Sequence, residues 1–259
     1  MTRKEQRPLP EQAADRWERL AGEWVPFIRN RLSFYRTEVI LPSVMRLAGE
    51  VADKRVIDLG CGEGEVTRIL TGRGACCEGI DLSPTMIRAA ADEARRCGLA
   101  IRYHVGDMTD ASVLTPESFD LAVSVMSILD APNGLDAFGA AARLLKPGGE
   151  LVFITSHPVL ERGRWQQDEE GLKSVCLISD YRGSSFIRER ISARMDGEVY
   201  QFLFCLSEYL NAIANAGLMI VHCEEPSASP EAMERYPSLG RFRKAAPLWA
   251  ARVRKVDRP

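Results

Sequence analysis

The stretch that decides the fold is VIDLGCGEGEVTRIL, residues 56–70. An apolar run carrying Asp58 turns through Gly60, Gly62 and Gly64 into an amphipathic segment, which reads as a strand, a tight turn and a helix. Glycines at such a turn let the main chain approach a ligand closely and adopt positive φ, where a side chain would clash. Dinucleotide enzymes also use a glycine turn here, but their third glycine usually stands three positions after the second. The spacing in this chain is G-x-G-x-G, and the preceding Asp58 is ill suited to a pyrophosphate and well suited to a cationic amino acid.

Outward from this turn the same rhythm repeats. RVIDL (55–59), CCEGID (76–81), AIRYHV (100–105), FDLAVSVM (119–126) and ELVFIT (150–155) read as strands separated by helical stretches. The clearest helix is predicted over 84–97, with Ser83 as N-cap, Pro84 in the first turn and Gly98 after the end. A second helix is expected over 135–145, closed by Lys146-Pro147-Gly148-Gly149. Strands and helices alternating at this spacing imply a parallel sheet covered on both faces.

Upstream, Trp17, Leu20, Trp24, Phe27, Ile28, Leu32 and Tyr35 recur at helical steps, and Pro26 within that stripe predicts a kink or break. Downstream the rhythm breaks. FIRERISAR (186–194) and EVYQFLFCL (198–206) read as a hairpin turning at Asp196-Gly197, with SVCLIS (174–179) as a further strand. A helix over 207–216 and strands over 218–225 and 248–256 follow. The expected organisation is an N-terminal helical lid (1–44), a core (45–156 and 207–259) and an inserted β cap (157–206) over the sheet's carboxyl edge, where open α/β sheets bind ligands.

Composition narrows the function. The 259 residues are 46% hydrophobic and 27% charged, globular values that exclude a disordered or fibrous chain. The net charge of −2 gives no general affinity for nucleic acid or membranes. The first twenty residues lack the apolar core of a signal peptide, and no apolar run approaches the roughly 20 residues needed to cross a bilayer. Seven scattered cysteines without a CxxC pair, and only three histidines, predict reduced thiols in a cytoplasmic protein and no zinc site.

Asp81 closes the second strand about twenty residues after the turn, where a carboxylate can accept from both hydroxyls of a ribose. Its alternative role is helix capping, for which Ser83 is better placed. Gly106-Asp107-Met108 follows the third strand. Asp107 can accept from an adenine amine, while Met108 and Met86 either face the ring or pack in the core.

Together these residues resemble a class I S-adenosylmethionine-dependent methyltransferase. VIDLGCGEG is similar to that family's glycine motif, EGIDLS to its acidic second strand, GDM to its adenine loop and LLKPGGEL (144–151) to its post-sheet marker. Residues 17–49 and the His-Pro of SHPVLE resemble a bacterial small-molecule subgroup. That subgroup often carries a His-Arg pair where this chain reads FCLSEYLNAI, so no role built on the pair transfers. The resemblance implies a Rossmann-like α/β fold whose seven-stranded, mostly parallel sheet has an antiparallel last strand. It also implies S-adenosyl-L-methionine as cofactor and a small-molecule methyl acceptor.

By the same resemblance, Gly60, Cys61, Gly62 and Gly64 lie by the methionine moiety, with Asp58 near its amino group. Asp81 and Leu82 take the ribose, Asp107, Met108 and Met86 the adenine, and Ser124, Val125 and Met126 the wall beside the methyl group. Tyr35 and Arg36 sit where a lid helix would cross the cofactor, or else belong to helix surface and core.

Methyl transfer needs alignment of nucleophile, carbon and sulfur, and a base only where the acceptor must lose a proton. His157, just past the fifth strand, is the candidate base; its alternative is to pack or cap the turn before Pro158. Asp130 is the second choice, as base or acceptor of a substrate hydrogen bond. Arg188, Arg190 and Arg194 form either a solvated face or one wall for an acidic substrate, with Tyr200, Phe202 and Phe204 as an apolar wall.

The basic run 241–258 suggests a nucleic-acid enzyme as a rival, against which stand the negative net charge and the absence of an NPPY-like motif. A non-catalytic cofactor-binding protein on the same scaffold is the third reading. The expected assembly is a monomer or homodimer without nucleic-acid, membrane or metal partners.

Overall fold

The computed structural model describes residues 8–167, 169, 173–178, 181, 183, 185–243 and 245–256. Helix α1 (Pro10–Arg29) is followed by a π-helical turn (Arg36–Ile40) and α2 (Leu41–Ala48). The core then alternates: β1 (Arg55–Leu59), α3 (Glu65–Gly72), β2 (Cys76–Asp81), α4 (Pro84–Arg96), β3 (Arg102–Val105), β4 (Phe119–Val125), α5 (Ala137–Leu144) and β5 (Leu145–Ser156). Four further strands follow: β6 (Gly163–Gln167), β7 (Lys173–Ile178), β8 (Ser185–Glu189) and β9 (Val199–Leu203). The chain ends with α6 (Leu206–Asn215), β10 (Leu218–Glu224), α7 (Pro230–Arg235) and β11 (Leu248–Lys255).

Seven strands form one sheet in the order β10-β11-β5-β4-β1-β2-β3. All neighbours pair in parallel except β11, which runs antiparallel to both β10 and β5. Successive side chains of the central strands point to opposite faces, and both faces are apolar. Ile57, Leu59, Ala122, Leu151 and Phe153 face a cluster with Phe138, Tyr209 and Ile213. Val56, Leu121, Val123, Val152 and Ile154 face Val44, Leu47, Val66 and Leu70. Strand order reverses between β1 and β4, so their carboxyl ends diverge there and leave a crevice.

Local chemistry sets the element ends. Ser83 Oγ accepts from Met86 N at 3.0 Å at the start of α4, and Pro84 occupies its first turn. Pro26 does not break α1. It lies in the last turn, its own carbonyl accepts from Asn30 N at 3.0 Å, and the helix runs on to Arg29. The break comes at 30–33, where Arg31 has a φ of 51°.

The inserted strands form two small antiparallel pairs, β6–β7 and β8–β9, outside the main sheet. Trp165 stands in β6 opposite Cys176. The hairpin does not turn tightly at Asp196-Gly197. Glu189 pairs with Val199, and residues 190–198 form the connection. Helix α1 holds that loop open: Asp196 N donates to Glu23 Oε2 at 2.7 Å, and Met195 is buried among Leu20, Phe27 and Ile28.

The expected apolar wall is also reversed. Tyr200 and Phe202 share a face with Phe186 and turn down onto the core cluster, with Phe204 buried there too. Period-two alternation therefore aims Gln201 and Glu189 the other way. In the basic run, Arg254 pairs with Glu150 at 2.8 Å and Lys255 with Glu117 at 3.1 Å. Lys244 and Arg258 lie outside the described residues. Among the described residues no helix is long and apolar enough to cross a membrane.

Candidate active site

The turn after β1 is built from three glycines at φ of +72° (Gly60), +55° (Gly62) and +79° (Gly64). Only glycine takes this region without cost, and the turn bends its amides onto β2. Gly60 N and Cys61 N both donate to Ile80 O, at 2.9 and 3.0 Å. Gly62 N donates to Asp81 Oδ2 at 2.8 Å, and Ser83 N to Asp81 Oδ1 at 2.9 Å. The carboxylate at the tip of β2 is thus fixed by two backbone amides. An ionised carboxylate has about four lone-pair sites, so two remain for a ligand.

Around this point lies a cavity of about 910 Å³ at the carboxyl ends of β1, β2 and β4. It is lined by Tyr35, Arg36, Gly60, Cys61, Gly62, Asp81, Leu82, Met86, Asp107, Met108, Val125 and Met126, all expected from the sequence. Arg36 reaches it paired to Glu65 at 2.5 Å. Asp107 Oδ1 accepts from Thr109 N and Oγ1 at 2.8 and 2.7 Å, which orients the loop after β3. Met126 ends β4 with a φ of +57°, a strained conformation for a side chain without local polar compensation.

Four expected residues stand behind the cavity. Asp58 is buried and accepts from Thr67 Oγ1 at 2.6 Å, bracing β1 against α3; burial pushes its carboxyl up to about 6. Gly64 is packed against the Tyr103 ring, where a Cβ would collide. Ser124 bonds Ser127 at 2.7 Å, and Ser127 Oγ in turn donates to Leu59 O at 2.8 Å. His157 does not line the cavity. Its Nε2 meets Glu225 at 3.1 Å, and its Nδ1 accepts from Val159 N and Leu160 N at 3.2 and 3.3 Å, so the imidazole caps the turn after β5.

Asp130 takes the position expected of His157. It lines the cavity beyond β4, and while its backbone N donates to Ser127 O at 3.0 Å, its carboxylate has no hydrogen-bond partner among the described residues. Burial, reinforced by the charge of Asp81, raises its carboxyl well above the usual range. Three further contributions complete the lining, of which only the two arginines were expected from the sequence. Trp17, Trp24 and Phe27 of α1 form an aromatic wall, with Trp17 and Trp24 edge to face at 5.5 Å. Glu189 and Gln201 enter from β8 and β9, and Arg190 and Arg194 from the loop between them. Tryptophans on a helical stripe signalled burial but not against what. Among the described residues no cluster of three or more His, Cys, Asp or Glu could hold a metal ion.

Comparison with known proteins gives this architecture a class. Residues 56–149 match the family model described as "Methyltransferase domain". A crystal structure of an S-adenosylmethionine-dependent methyltransferase from Mesorhizobium loti is 28% identical, with a TM-score of 0.69, and the match covers 82% of this chain and 96% of that one. The sheet and its antiparallel last strand are thus the Rossmann-like methyltransferase fold. Among curated relatives, the ubiquinone biosynthesis O-methyltransferase of Serratia proteamaculans is 29% identical and that of Nitrosococcus oceani 33%, each over 145 residues, 56% of this chain. The chain spans 58% of the length of either relative.

Proposed function

We propose that this chain is an S-adenosylmethionine-dependent methyltransferase that methylates a hydroxyl oxygen of a small molecule. The observation that carries the reading is Asp81. Its carboxylate is pinned at the tip of β2 by Gly62 N and Ser83 N, faces the cavity, and keeps acceptor capacity for the two hydroxyls of a ribose. The donor set suits the rest of the cofactor. Asp107 accepts from the adenine amine, Met86 and Met108 flank the ring, and the Arg36 guanidinium meets the methionine carboxylate. Gly62 is open to the cavity, with Trp24 Nε1 3.9 Å from where its Cβ would stand, so α1 serves as the lid on this end.

The bound cofactor supplies a methyl group already activated on a sulfonium, so the protein's task is alignment and exclusion of water. Met126 and Val125 close the wall beside the reacting carbon, and the Ser127–Leu59 bond ties that wall to the glycine turn. Asp130 accepts the acceptor's hydroxyl proton. S-adenosylmethionine held by these residues would supply the methyl carbon to the acceptor oxygen and would keep the displaced electron pair on its sulfur. A carboxyl raised by burial is a stronger base than an exposed one, which suits a hydroxyl substrate.

The names of the curated relatives support O-methylation, and the cavity's size supports a cofactor together with a small acceptor. The inserted 157–206 segment then serves as the acceptor cap. The engagement of Arg254 and Lys255 by Glu150 and Glu117 supports a protein without a nucleic-acid partner. Free thiols at Cys61, Cys76, Cys77, Cys97, Cys205 and Cys223 suit the cytoplasm. Thermal unfolding with and without S-adenosylhomocysteine tests the reading. A ligand-dependent rise in Tm is expected with S-adenosylhomocysteine and none with NADH; the reverse pattern overturns it.

A further inference from the structure

The charged side chains around the cavity divide by whether they already have partners. Glu63 is held by Arg29 and Arg68, Glu65 by Arg36, Asp81 by two amides and Asp107 by Thr109. Asp130, Glu189, Arg190 and Arg194 line the cavity, and their side chains have no hydrogen bond or ion pair among the described residues. Gln201 Oε1 is buried and also unpartnered. These groups lie away from the glycine turn, beyond β4 and on the β8–β9 hairpin.

The loop that carries the two arginines is anchored on α1. Met195 and Val199 are buried against Leu20, Phe27 and Ile28 of α1, and Asp196 N is held by Glu23. In its first half Ile191 packs on the same cluster, and residues 190–194 line the cavity. Arg188, on the opposite face of the hairpin, pairs with Glu198 at 3.0 Å and does not line the cavity. So of the three alternating arginines, two are turned to the site without a counter-charge. The same cavity is lined by the aromatic rings of Trp17, Trp24 and Phe27, the first two edge to face.

We propose that the methyl acceptor is a hydroxylated aromatic acid, an inference that rests on the methyltransferase reading above. Its ring lies against the tryptophan wall, a ring hydroxyl turns to Asp130, and its carboxylate is bound at the mouth by Arg190 and Arg194. Gln201 Oε1 accepts from a second donor on the ring. Guanidinium groups suit a carboxylate by their planar fork geometry, and the same two groups repel a cationic acceptor.

The test is calorimetric titration of the S-adenosylhomocysteine-loaded chain with 3,4-dihydroxybenzoate, its methyl ester and 3,4-dihydroxyphenethylamine. The acid is expected to bind about tenfold or more tighter than the ester, with the amine weakest, as a charge-assisted pair requires. In the R190A/R194A double variant the acid-to-ester preference should fall to about one, while R188A, which removes a cation from the far face, retains it. Equal binding of acid and ester, preference for the amine, binding of none of the three, or a preference that survives R190A/R194A each overturns the proposal. Failure of S-adenosylhomocysteine itself to bind is a separate result: it overturns the methyltransferase reading and this inference with it.

Discussion

The glycine turn after β1 and the β8–β9 hairpin face each other across one cavity and are built in opposite ways. At the turn, the polar groups are committed: Asp81 to two amides, Ser127 to Leu59 O, Glu63 to two arginines. At the hairpin, Glu189, Gln201, Arg190 and Arg194 are held near the cavity with nothing to bond. A satisfied site is rigid before its ligand arrives, whereas an unsatisfied one needs the ligand to complete it. On the function proposed above, the turn is shaped for one invariant cofactor and the hairpin for an acceptor that supplies the missing partners.

The comparison breaks most visibly at Asp130, which stands between the two regions. Asp130→Asn removes the proton acceptor and is expected to lower kcat by about 10²–10³-fold while leaving S-adenosylhomocysteine affinity in place. Wild-type kcat should climb with pH through the raised pKa of this carboxyl and then level off, because only the ionised form accepts a proton. A variant that keeps its kcat moves the base elsewhere, or shows that none is used.

Behind the turn, the rigidity of the cofactor side has a cost that can be measured. Burial raises Asp58 to about 6, so the folded chain binds more protons than the unfolded chain between about pH 4 and pH 6. Stability therefore falls as pH rises through that window and stays flat above it. Asp58→Asn keeps an acceptor for Thr67 Oγ1, removes the buried charge, and should raise stability at pH 7 by about 2–3 kcal/mol, with this part of the slope abolished. Denaturant unfolding at pH 4.5 and pH 7.5 reads both effects.

The smallest effect is expected at His157, outside the cavity. His157→Ala loses the cap on Val159 N and Leu160 N, a cost of about 1 kcal/mol in stability, with kcat within about twofold of wild type. A large loss of kcat with unchanged stability would return the imidazole to the chemistry.

The cofactor half was legible in sequence because its roles are backbone roles. The glycines, the strand-ending Asp81 and the Ser83-Pro84 cap act through local φ, hydrogen bonding and spacing, and β1 and β2 fall on the residues their patterns predict. The acceptor half was legible only in part, at Asp130, Arg190 and Arg194, because long-range contacts set its side-chain directions. Whether Gln201 or Phe202 faces the site depends on which face of the hairpin meets Phe138 and Tyr209. The Asp-Gly pair signalled a tight turn, but Glu23 takes the Asp196 amide and opens the loop. His157 ends the right strand, yet Glu225, after β10, draws its ring away. Asp130 gave a readable signal, a strand running out into a carboxylate, though no local pattern ranks it above a histidine.

The central claim is that the turn between β1 and α3, with Asp81 beside it, binds S-adenosylmethionine. Calorimetric titration of wild type and Asp81→Ala with S-adenosylhomocysteine tests it most directly. Saturable binding by wild type, weakened about 10²-fold in a variant with the same unfolding transition, is the predicted result. Equal affinity in both proteins, or no binding by wild type, would contradict it.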